Sequence, residues 1–252
     1  MHYTLNGQDP KDGGAGVLVW PAGQGTIPGG SFTVKARVWN SGTSEWSALT
    51  EAVFSSAVPP QPGMLVISEI HYHPADPSLV EVQAGFLDDG EFEFLEIANV
   101  SGLRISLGSL RFAAGVDFDF ALDSSLTELA PGAVLLIAAD AAALQQRYGA
   151  GLPVAGQFVN GTRLSNSGER VKLVTAAGVV IAEVSYGEQG DWPAVADGGG
   201  KSLSLLDPAS GLTGTSGDAW RPSTAVGGSP GVLSGLLTYA EWQADHFTST
   251  EI

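Results

Sequence analysis

The feature that most constrains this chain is a long succession of short apolar runs, each ended by turn-forming residues. From Met64 onward, Gly, Pro, Asn and Asp separate the runs MLVISEIHYHP, EFEFLEIANV, LRFAA, VDFDF, AVLLIAA, RVKLVT, VVIAEVSYG and KSLSLLD. Such runs are typical of β-strands. The 34 Gly and 14 Pro residues, with a charged fraction of only 15%, favour a turn-rich β protein over a helical bundle. We therefore predict an all-β fold whose larger part is an antiparallel β-sandwich.

Three local patterns refine this prediction. The segment RVKLVTAAGVVIAEV predicts a hairpin with Gly178 in its turn. In FEFLEI the apolar positions change parity between Phe94 and Leu95, which predicts a β-bulge there. One helix is expected to interrupt the strands, because Asp140 can cap AAALQQRY and Gly149 can end it.

The charge and composition of the chain exclude several classes of function. Acidic residues outnumber basic ones 27 to 11, and the formal charge of -16 repels phosphate backbones, so we expect no nucleic-acid binding. The absence of Cys excludes disulfides, thiolate zinc sites and a Cys nucleophile. No apolar run approaches the roughly 18 to 20 residues of a membrane span, and the residues after Met1 are the polar HYTLNG, so we expect neither a membrane span nor a signal peptide in these residues.

Changes in composition along the chain predict four segments. They are a partial β domain (1–58), a Pro-rich linker (59–63), a β-sandwich domain (64–232) and a truncated C-terminal helical segment (233–252). The prolines around the linker suit a semi-rigid extended connection. In the last segment, Thr238 and Glu241 form a capping box that predicts a helix from Leu237 to Phe247.

Residues 1–58 resemble a known small β domain. The motifs YTLNGQDP and SFTVKARVWNSGTSEWSALTEAVF are similar to the second half of the fibronectin-like domain at the C-terminal end of the chitobiase and β-hexosaminidase families. The alternation of apolar and polar residues from Phe32 to Val38 indicates a strand with one wet face, and the few large apolar residues indicate a thin core. The opening strands of that family are absent before Met1, so we expect the chain to be part of a longer protein.

The remainder of the chain resembles the bacterial lamin-tail domain. The resemblance runs from about Met64 to Val232 through LVISEIHYHP, FEFLEIANVSGLRISLGSLRFAAGVDFDF, LAPGAVLLIAADAAALQQRYG, LSNSGERVKLVTAAGVVIAEVSYG, GDWP and AWRPSTAVGGSPG. It implies an immunoglobulin-like β-sandwich that serves as a non-catalytic module of secreted or surface proteins. Leu110 stands where the family often has Trp, and the acidic loop from Asp76 to Glu91 is longer than the minimal pattern.

A first candidate site comprises Glu69, His71 and His73. Alternate positions of a strand project to one face, so this carboxylate and the two imidazoles could approach a divalent transition metal together. In the alternative interpretation, Glu69 belongs to the SEI motif of the lamin-tail resemblance. The two His side chains would then be solvent-facing or hydrogen-bonded.

A second candidate site lies in the acidic loop. The window from Val38 to Leu103 holds ten carboxylates and no Lys or Arg. Calcium takes six to eight oxygen ligands, although the spacing here does not match an EF-hand. The alternative is a solvated acidic loop. The candidate calcium ligands are Asp88, Asp89, Glu91 and Glu93, joined by Glu96 or Asn99.

A match to G-x-S-x-G between Gly227 and Gly231 looks enzymatic but lacks the required chemistry. The residue after Ser229 is Pro230, which has no N–H for an oxyanion hole. No strand run precedes the motif. We therefore interpret this segment as the closing turn of the sandwich.

Two further polar patterns have structural interpretations. Asp117 and Asp119 could suggest paired-carboxylate catalysis, but they alternate with apolar residues and are expected on the wet face of a strand. The segment Asp197 to Lys201 is rich in Gly but lacks the phosphate-loop pattern and a following helix, so we expect a turn before KSLSLL.

Aromatic residues offer one further route to a ligand. Exposed flat rings could stack on sugar rings, although Trp more often fills the core of a small sandwich. The residues concerned are Trp20, Trp39, Trp46 and Trp192.

The sequence therefore predicts a non-catalytic structural or binding module, not an enzyme, within a larger secreted or cell-surface bacterial protein. Its partners would be an unknown protein or a polysaccharide, together with other domains of the same chain. The location would be extracellular or at the cell surface, and calcium is the one candidate cofactor. The alternatives are a metal-dependent enzyme using Glu69, His71 and His73, and a calcium-dependent adhesion module.

Overall fold

The chain divides into two compact units, Met1–Val58 and a second one that begins at Pro59. The computed structural model describes residues 1–14, 16–22, 25 and 32–233. The helix predicted from Leu237 to Phe247 lies outside the described residues.

The described strands of the first unit form an open antiparallel sheet of order β2-β1-β3-β6 and a separate β4-β5 hairpin. The strands are β1 (His2–Thr4), β2 (Leu18–Val19), β3 (Phe32–Arg37), β4 (Trp39–Asn40), β5 (Glu45–Trp46) and β6 (Thr50–Phe54). Phe32 pairs directly with Phe54, and their rings stack with centroids 5.6 Å apart. Phe54 nevertheless remains 51% exposed, which agrees with the thin core expected for this segment.

The second unit contains most of the buried apolar residues. Its strands are β7 (Leu65–His71), β8 (Phe94–Asn99), β9 (Ile105–Ser106), β10 (Leu110–Ala114), β11 (Glu128–Leu129), β12 (Val134–Ala138), β13 (Val154–Gln157), β14 (Arg170–Thr175), β15 (Val180–Ser185), β16 (Leu203–Leu205) and β17 (Trp220–Pro222). Its helices are α1 (Leu79–Ala84), α2 (Phe120–Asp123) and α3 (Ala141–Tyr148).

Within the described residues, two larger sheets and one two-stranded pair build the second unit. The main sheet has the order β13-β12-β8-β7-β16-β17, the second sheet has the order β10-β14-β15, and β9 pairs with β11. Strand β15 lies against β7, which is already paired on both sides in the main sheet, so the second sheet packs on a face of the main one. This arrangement confirms the prediction of an all-β fold.

One described strand pair departs from the expected antiparallel pattern. Strands β12 and β13 run parallel and are connected through α3. A parallel pair requires such a crossover because a tight hairpin reverses the chain direction. The side chain of Asp140 accepts hydrogen bonds from the N–H groups of Ala142 and Ala143, and Gly149 ends the helix, as predicted.

The two faces of the main sheet differ in chemistry. Phe94 packs with Leu136 and Ala138 against Leu144 of α3, which defines the helix face. The opposite face is aliphatic, because the directly paired residues there are Ile67 with Ile97 and Ile70 with Leu95, all 0% exposed. Since α3 and the turn Gly227–Gly231 cover the helix face, the aliphatic face packs against the second sheet.

The predicted hairpin is confirmed, but the bulge was placed on the wrong strand. Strands β14 and β15 pair antiparallel around Gly178, whose φ of 82° suits the turn. Strand β8 stays in register with β12, whereas the irregularity in its pairing with β7 falls at Ser68. Both faces of β8 are buried, so a change of apolar parity in that strand carries no information about its register.

The prediction of one helix was also wrong, because α1 lies inside the expected acidic loop. The side chain of Ser78 accepts a hydrogen bond from the N–H of Glu81, and the Glu81 side chain accepts one from the N–H of Ser78. Gly85, with φ of 103°, ends the helix. This capping box was visible as Ser-x-x-Glu in the sequence.

We expect Asp140→Ala to lower the free energy of unfolding by about 1 kcal/mol, because two N–H groups at the start of α3 would lose their acceptor. Chemical denaturation monitored by circular dichroism would measure the change. The matched control is Asp76→Ala, an exposed carboxylate, which should change the free energy by less than about 0.5 kcal/mol. Equal effects of the two variants would contradict the capping role.

Candidate functional site

Two buried carboxyl groups lie side by side on the helix face of the main sheet. Glu69 of β7 pairs directly with Glu96 of β8, and Ser204 and Leu136 extend the same row into the neighbouring strands. Each of the two Glu residues is 1% exposed. Directly paired residues of antiparallel strands are close neighbours, so the two carboxyl groups share one covered space. We call Glu69 and Glu96 the carboxylate pair.

The turn Gly227–Gly231, which we call the closing turn, donates hydrogen bonds to both carboxyl groups. The N–H of Ser229 donates to Glu69 Oε1 at 2.8 Å, and its hydroxyl donates to Glu69 Oε2 at 2.9 Å. The N–H of Gly231 donates to Glu96 Oε2 at 2.8 Å. The closing turn therefore bridges the carboxylate pair.

The hydroxyls of one serine in β7 and one serine just before β16 complete the set of donors. Ser202 Oγ donates to Glu69 Oε1, and Ser68 Oγ donates to Glu96 Oε1 at 2.8 Å. Each carboxyl oxygen of the pair thus accepts at least one hydrogen bond from this chain. Hydrogen bonding of this kind offsets much of the cost of burying a polar group.

Burial raises the pKa of both carboxyl groups. The pKa of Glu96 rises to about 8, first because of burial and then because of the neighbouring Glu69. The pKa of Glu69 is raised by burial, while hydrogen bonds from Ser202 and Ser229 act in the opposite direction. Two adjacent buried carboxyl groups cannot both ionise cheaply, so the pair retains a proton near neutral pH.

The conformation of the closing turn requires a glycine at position 228. Gly228 has φ of 85°, and a Cβ at this residue would collide with Glu69 Oε1. The Tyr148 hydroxyl donates to the carbonyl of Gly227 at 2.6 Å. The turn is therefore held by α3 as well as by the carboxylate pair.

The first predicted metal set is not brought together as a group of ligands. Glu69 and His71 share the helix face, as expected from their spacing, but Glu69 is bound to the closing turn. His71 is 0% exposed and lies edge-on to Phe94, and neither of its ring nitrogens has a hydrogen-bond partner among the described residues. Burial lowers the pKa of His71 to about 3, so the ring is neutral.

His73 lies beyond the end of β7 and contacts two other segments. Its Nδ1 is 2.7 Å from Asp197 Oδ1, and its Nε2 is 3.8 Å from Asp89 Oδ2. The first distance is a hydrogen bond, whereas the second is too long for one. His73 therefore serves as a connection between loops rather than as a neighbour of Glu69.

The predicted calcium set is divided among separate hydrogen bonds. The side chain of Asp88 accepts from the N–H of Gly90, and Glu91 Oε2 accepts from the N–H of Asp88. Glu93 is buried and accepts from the N–H of Leu164 at 2.7 Å, and burial raises its pKa to about 8. By accepting these backbone hydrogen bonds, the three carboxylates stabilise the conformation of the loop that follows α1.

Neither predicted metal set forms a ligand cluster in this structure. Within residues 1–14, 16–22, 25 and 32–233, no three His, Asp or Glu side chains are grouped so that they could hold a metal ion. The physical reason is that most of the carboxylates concerned already accept hydrogen bonds from the chain. Calcium and transition-metal binding therefore stay predictions that a titration would test.

The other polar patterns occupy turns and surfaces. Asp117 is exposed and Asp119 half-buried, while Phe118 between them is buried, so the exposure pattern is as expected, although the two Asp residues form isolated bridges rather than a strand. Asp119 caps α2 by accepting from the N–H of Ala121. The segment Asp197 to Lys201 leads into β16 as a turn, as expected.

The four tryptophans named for sugar stacking are divided between the two units. Trp39 and Trp46 lie 5.1 Å apart at a tilt of 53° in the first unit, where Trp20 is 52% exposed. Trp192 belongs to the second unit, where its ring lies 6.3 Å from that of the buried Trp220. Sugar contact by these rings stays a prediction.

Sequence reasoning missed the ion pair between Glu81 and Arg147. The guanidinium Nε donates to Glu81 Oε1 at 2.8 Å, and this contact is the main cause that lowers the pKa of Glu81 to about 2. The same guanidinium lies 3.4 Å from the ring centroid of Phe92. The capping box of Ser78 and Glu81 could have predicted α1 from the sequence. No local pattern, however, predicts that α1 contacts α3.

Comparison with protein families identifies the second unit. A family model described as Lamin Tail Domain matches residues 59–188. The chain belongs to the lamin tail domain family. The lamin-tail match includes both members of the carboxylate pair, whereas Ser202 and the closing turn follow it in the chain. The preceding fibronectin-like resemblance stays a prediction.

Other comparisons add little. No curated protein matches the chain. A solved structure of a DUF4876 family protein from Bacteroides thetaiotaomicron VPI-5482 is similar at 18% identity, with 46% of this chain and 38% of that chain covered and a TM-score of 0.21. The match spans less than two thirds of that protein, and a similarity this low does not inform the fold or the function.

The raised pKa of Glu96 predicts that the lamin-tail unit loses stability as the pH rises. The folded state holds a proton on Glu96 up to about pH 8, whereas the usual pKa of 4.5 applies once the chain unfolds. The folded state therefore binds more protons in this window, and the free energy of unfolding falls by about 1.4 kcal/mol per pH unit for this group. The pKa values of Glu69 and Glu93 are also raised, so these two groups likewise lower the free energy of unfolding as the pH rises.

We expect Glu96→Gln to reduce the slope of the unfolding free energy against pH by the contribution of about one proton, or about 1.4 kcal/mol per pH unit. The reason is that the amide imitates the protonated acid and does not titrate. Urea denaturation at intervals from pH 5 to pH 9 would measure the slope for the variant and the natural chain. Asp191→Asn, which removes an exposed carboxylate, is the matched control and should leave the slope unchanged. An unaltered slope in Glu96→Gln would show that Glu96 is ionised in the folded protein.

Proposed function

We propose that the chain is a non-catalytic structural and recognition module of a larger secreted or cell-surface bacterial protein. The observation that carries the proposal is the complete hydrogen bonding of the carboxylate pair by Ser68, Ser202 and the closing turn. Carboxyl groups that act as acids or bases need access to a substrate. Here both are covered and serve to close the fold.

Membership of the lamin tail domain family supports the same proposal, because that family is in general non-enzymatic. The acidic composition and the absence of Cys favour a soluble acidic surface without catalytic thiolates. Among the described residues, no helix combines the length and the apolar character needed to cross a bilayer. The partners proposed are other domains of the same parent chain and a protein or polysaccharide ligand.

The geometry at Ser229 gives little support to a serine hydrolase. Its hydroxyl donates to a carboxylate of the pair. Pro230 has no N–H to stabilise an oxyanion. His71, which lies on the same face, is packed against Phe94 and is neutral.

A substrate panel would test the absence of catalysis. We expect no turnover of p-nitrophenyl esters, a casein substrate or p-nitrophenyl glycosides by the natural chain, and no difference in Ser229→Ala. The matched control is Ser210→Ala, an exposed serine outside the carboxylate pair. Turnover that is lost in Ser229→Ala but kept in Ser210→Ala would overturn the proposal, provided that circular dichroism shows both variants folded.

Cell fractionation would test the proposed location. We expect an antibody raised against the chain to detect its parent protein in the culture medium or the cell-envelope fraction of the source bacterium. A cytoplasmic enzyme would serve as the marker for cell lysis. Detection confined to the cytoplasmic fraction would contradict the proposal of a secreted or surface module.

A further inference from the structure

A mostly apolar cleft of about 510 Å³ opens where β8 ends and where the chain turns after β16. Val100, Pro208, Ala209 and Leu233 supply much of its lining. Clefts of this size accept a few side chains of a peptide or a small apolar ligand. This cleft lies apart from the closing turn and from the carboxylate pair.

A second cleft, of about 230 Å³, is also lined by residues of the segment that follows β16. Leu206, Leu212 and Ala219 contribute apolar surface to it, and Leu212 is 69% exposed. Asp207 lines both clefts. We call the two clefts together the Asp207 groove.

The carboxylate of Asp207 is not used by the fold. Asp88, Asp119 and Asp140 each accept a backbone hydrogen bond at the start of the helix that follows them. Asp207 occupies the corresponding position before Pro208, but its side chain makes no such bond, and no hydrogen bond or ion pair engages its carboxylate within the described residues. An exposed negative charge therefore stands between two apolar surfaces.

The framework of the groove is held in place by backbone contacts. The side-chain amide of Asn99 donates to the carbonyls of Leu103, Leu129 and Ala130, which fixes the loop beside the larger cleft. The N–H of Gly211 donates to the carbonyl of Pro208, which fixes the turn that carries Asp207. A groove that exists before binding loses less free energy to ordering when a ligand arrives.

We propose that the Asp207 groove binds an extended peptide segment of a partner protein in which one Lys or Arg has an aliphatic residue two positions before it and two positions after it, so that the three side chains share one face. The two apolar clefts receive the aliphatic side chains, and the basic group meets the Asp207 carboxylate between them. The net charge of -16 favours a basic ligand over an acidic one and also opposes pairing of two copies of this chain. Peptide binding here does not depend on whether Ser229 is catalytic, so the two proposals can fail separately.

The probe is the peptide acetyl-Val-Leu-Lys-Leu-Val-amide, titrated into the full chain and followed by NMR chemical shifts. We expect saturable binding at or below about 1 mM peptide, with shifts centred on the Asp207 groove. Replacing the Lys by norleucine should weaken binding about fivefold, and Asp207→Asn should weaken binding of the Lys peptide by a similar factor. In Asp207→Asn the two peptides should bind equally, because the charge that distinguishes them is gone.

Two variants control for general effects of charge and shape. Asp191→Asn removes an exposed carboxylate outside the groove and should leave the preference for Lys unchanged. Leu212→Arg should abolish binding, since it removes apolar surface and adds a positive charge. Both variants should keep the circular dichroism spectrum of the natural chain.

Three results of the peptide titration would overturn the proposal. They are no saturable shift at about 1 mM peptide, a preference for Lys that survives in Asp207→Asn, and shifts that map to the acidic loop instead of the groove. Sedimentation that shows a dimer abolished by Leu212→Arg would assign the groove to a second copy of the chain, and this result would also overturn it.

Discussion

The hydrogen bonds from the closing turn to Glu69 and Glu96 are the interactions on which the rest of the second unit depends. Two adjacent carboxyl groups at the centre of a buried face would be strongly unfavourable without donors. Ser229 meets Glu69 across 160 positions of the chain, so the donors arrive only when the last part of the unit folds back over the first. Closing the unit and supplying hydrogen-bond donors to its buried carboxyl groups are therefore the same event.

This arrangement places the buried carboxyl groups on a face that the fold itself covers. The main sheet has one aliphatic face that packs on the second sheet and one face whose polar groups are covered by α3 and the closing turn. An enzyme with two carboxyl groups so close together would leave them open to a substrate, whereas here the turn covers them. The Asp207 groove lies elsewhere, beside the segments that follow β8 and β16.

Local sequence signals predicted the elements whose causes are local. Asp140 and Gly149 predicted the ends of α3, and Gly178 predicted the hairpin turn, because caps and turns are decided within a few residues. The bulge was misplaced because the apolar pattern of a strand buried on both faces does not report its register. Helix α1 had a readable capping box at Ser78 but was overlooked inside an acidic segment.

The sequence by itself determined that the chain is rich in strands, which residues cap and turn it, and that Glu69 and His71 share a face. Only the tertiary structure decided what meets them: Glu69 receives the closing turn, His71 packs against Phe94, and His73 contacts Asp197 instead. The physical reason is that spacing along one strand fixes the direction of a side chain, whereas its partners come from segments far away in the chain. No local pattern encodes which distant hydroxyl or N–H will arrive at a buried carboxylate.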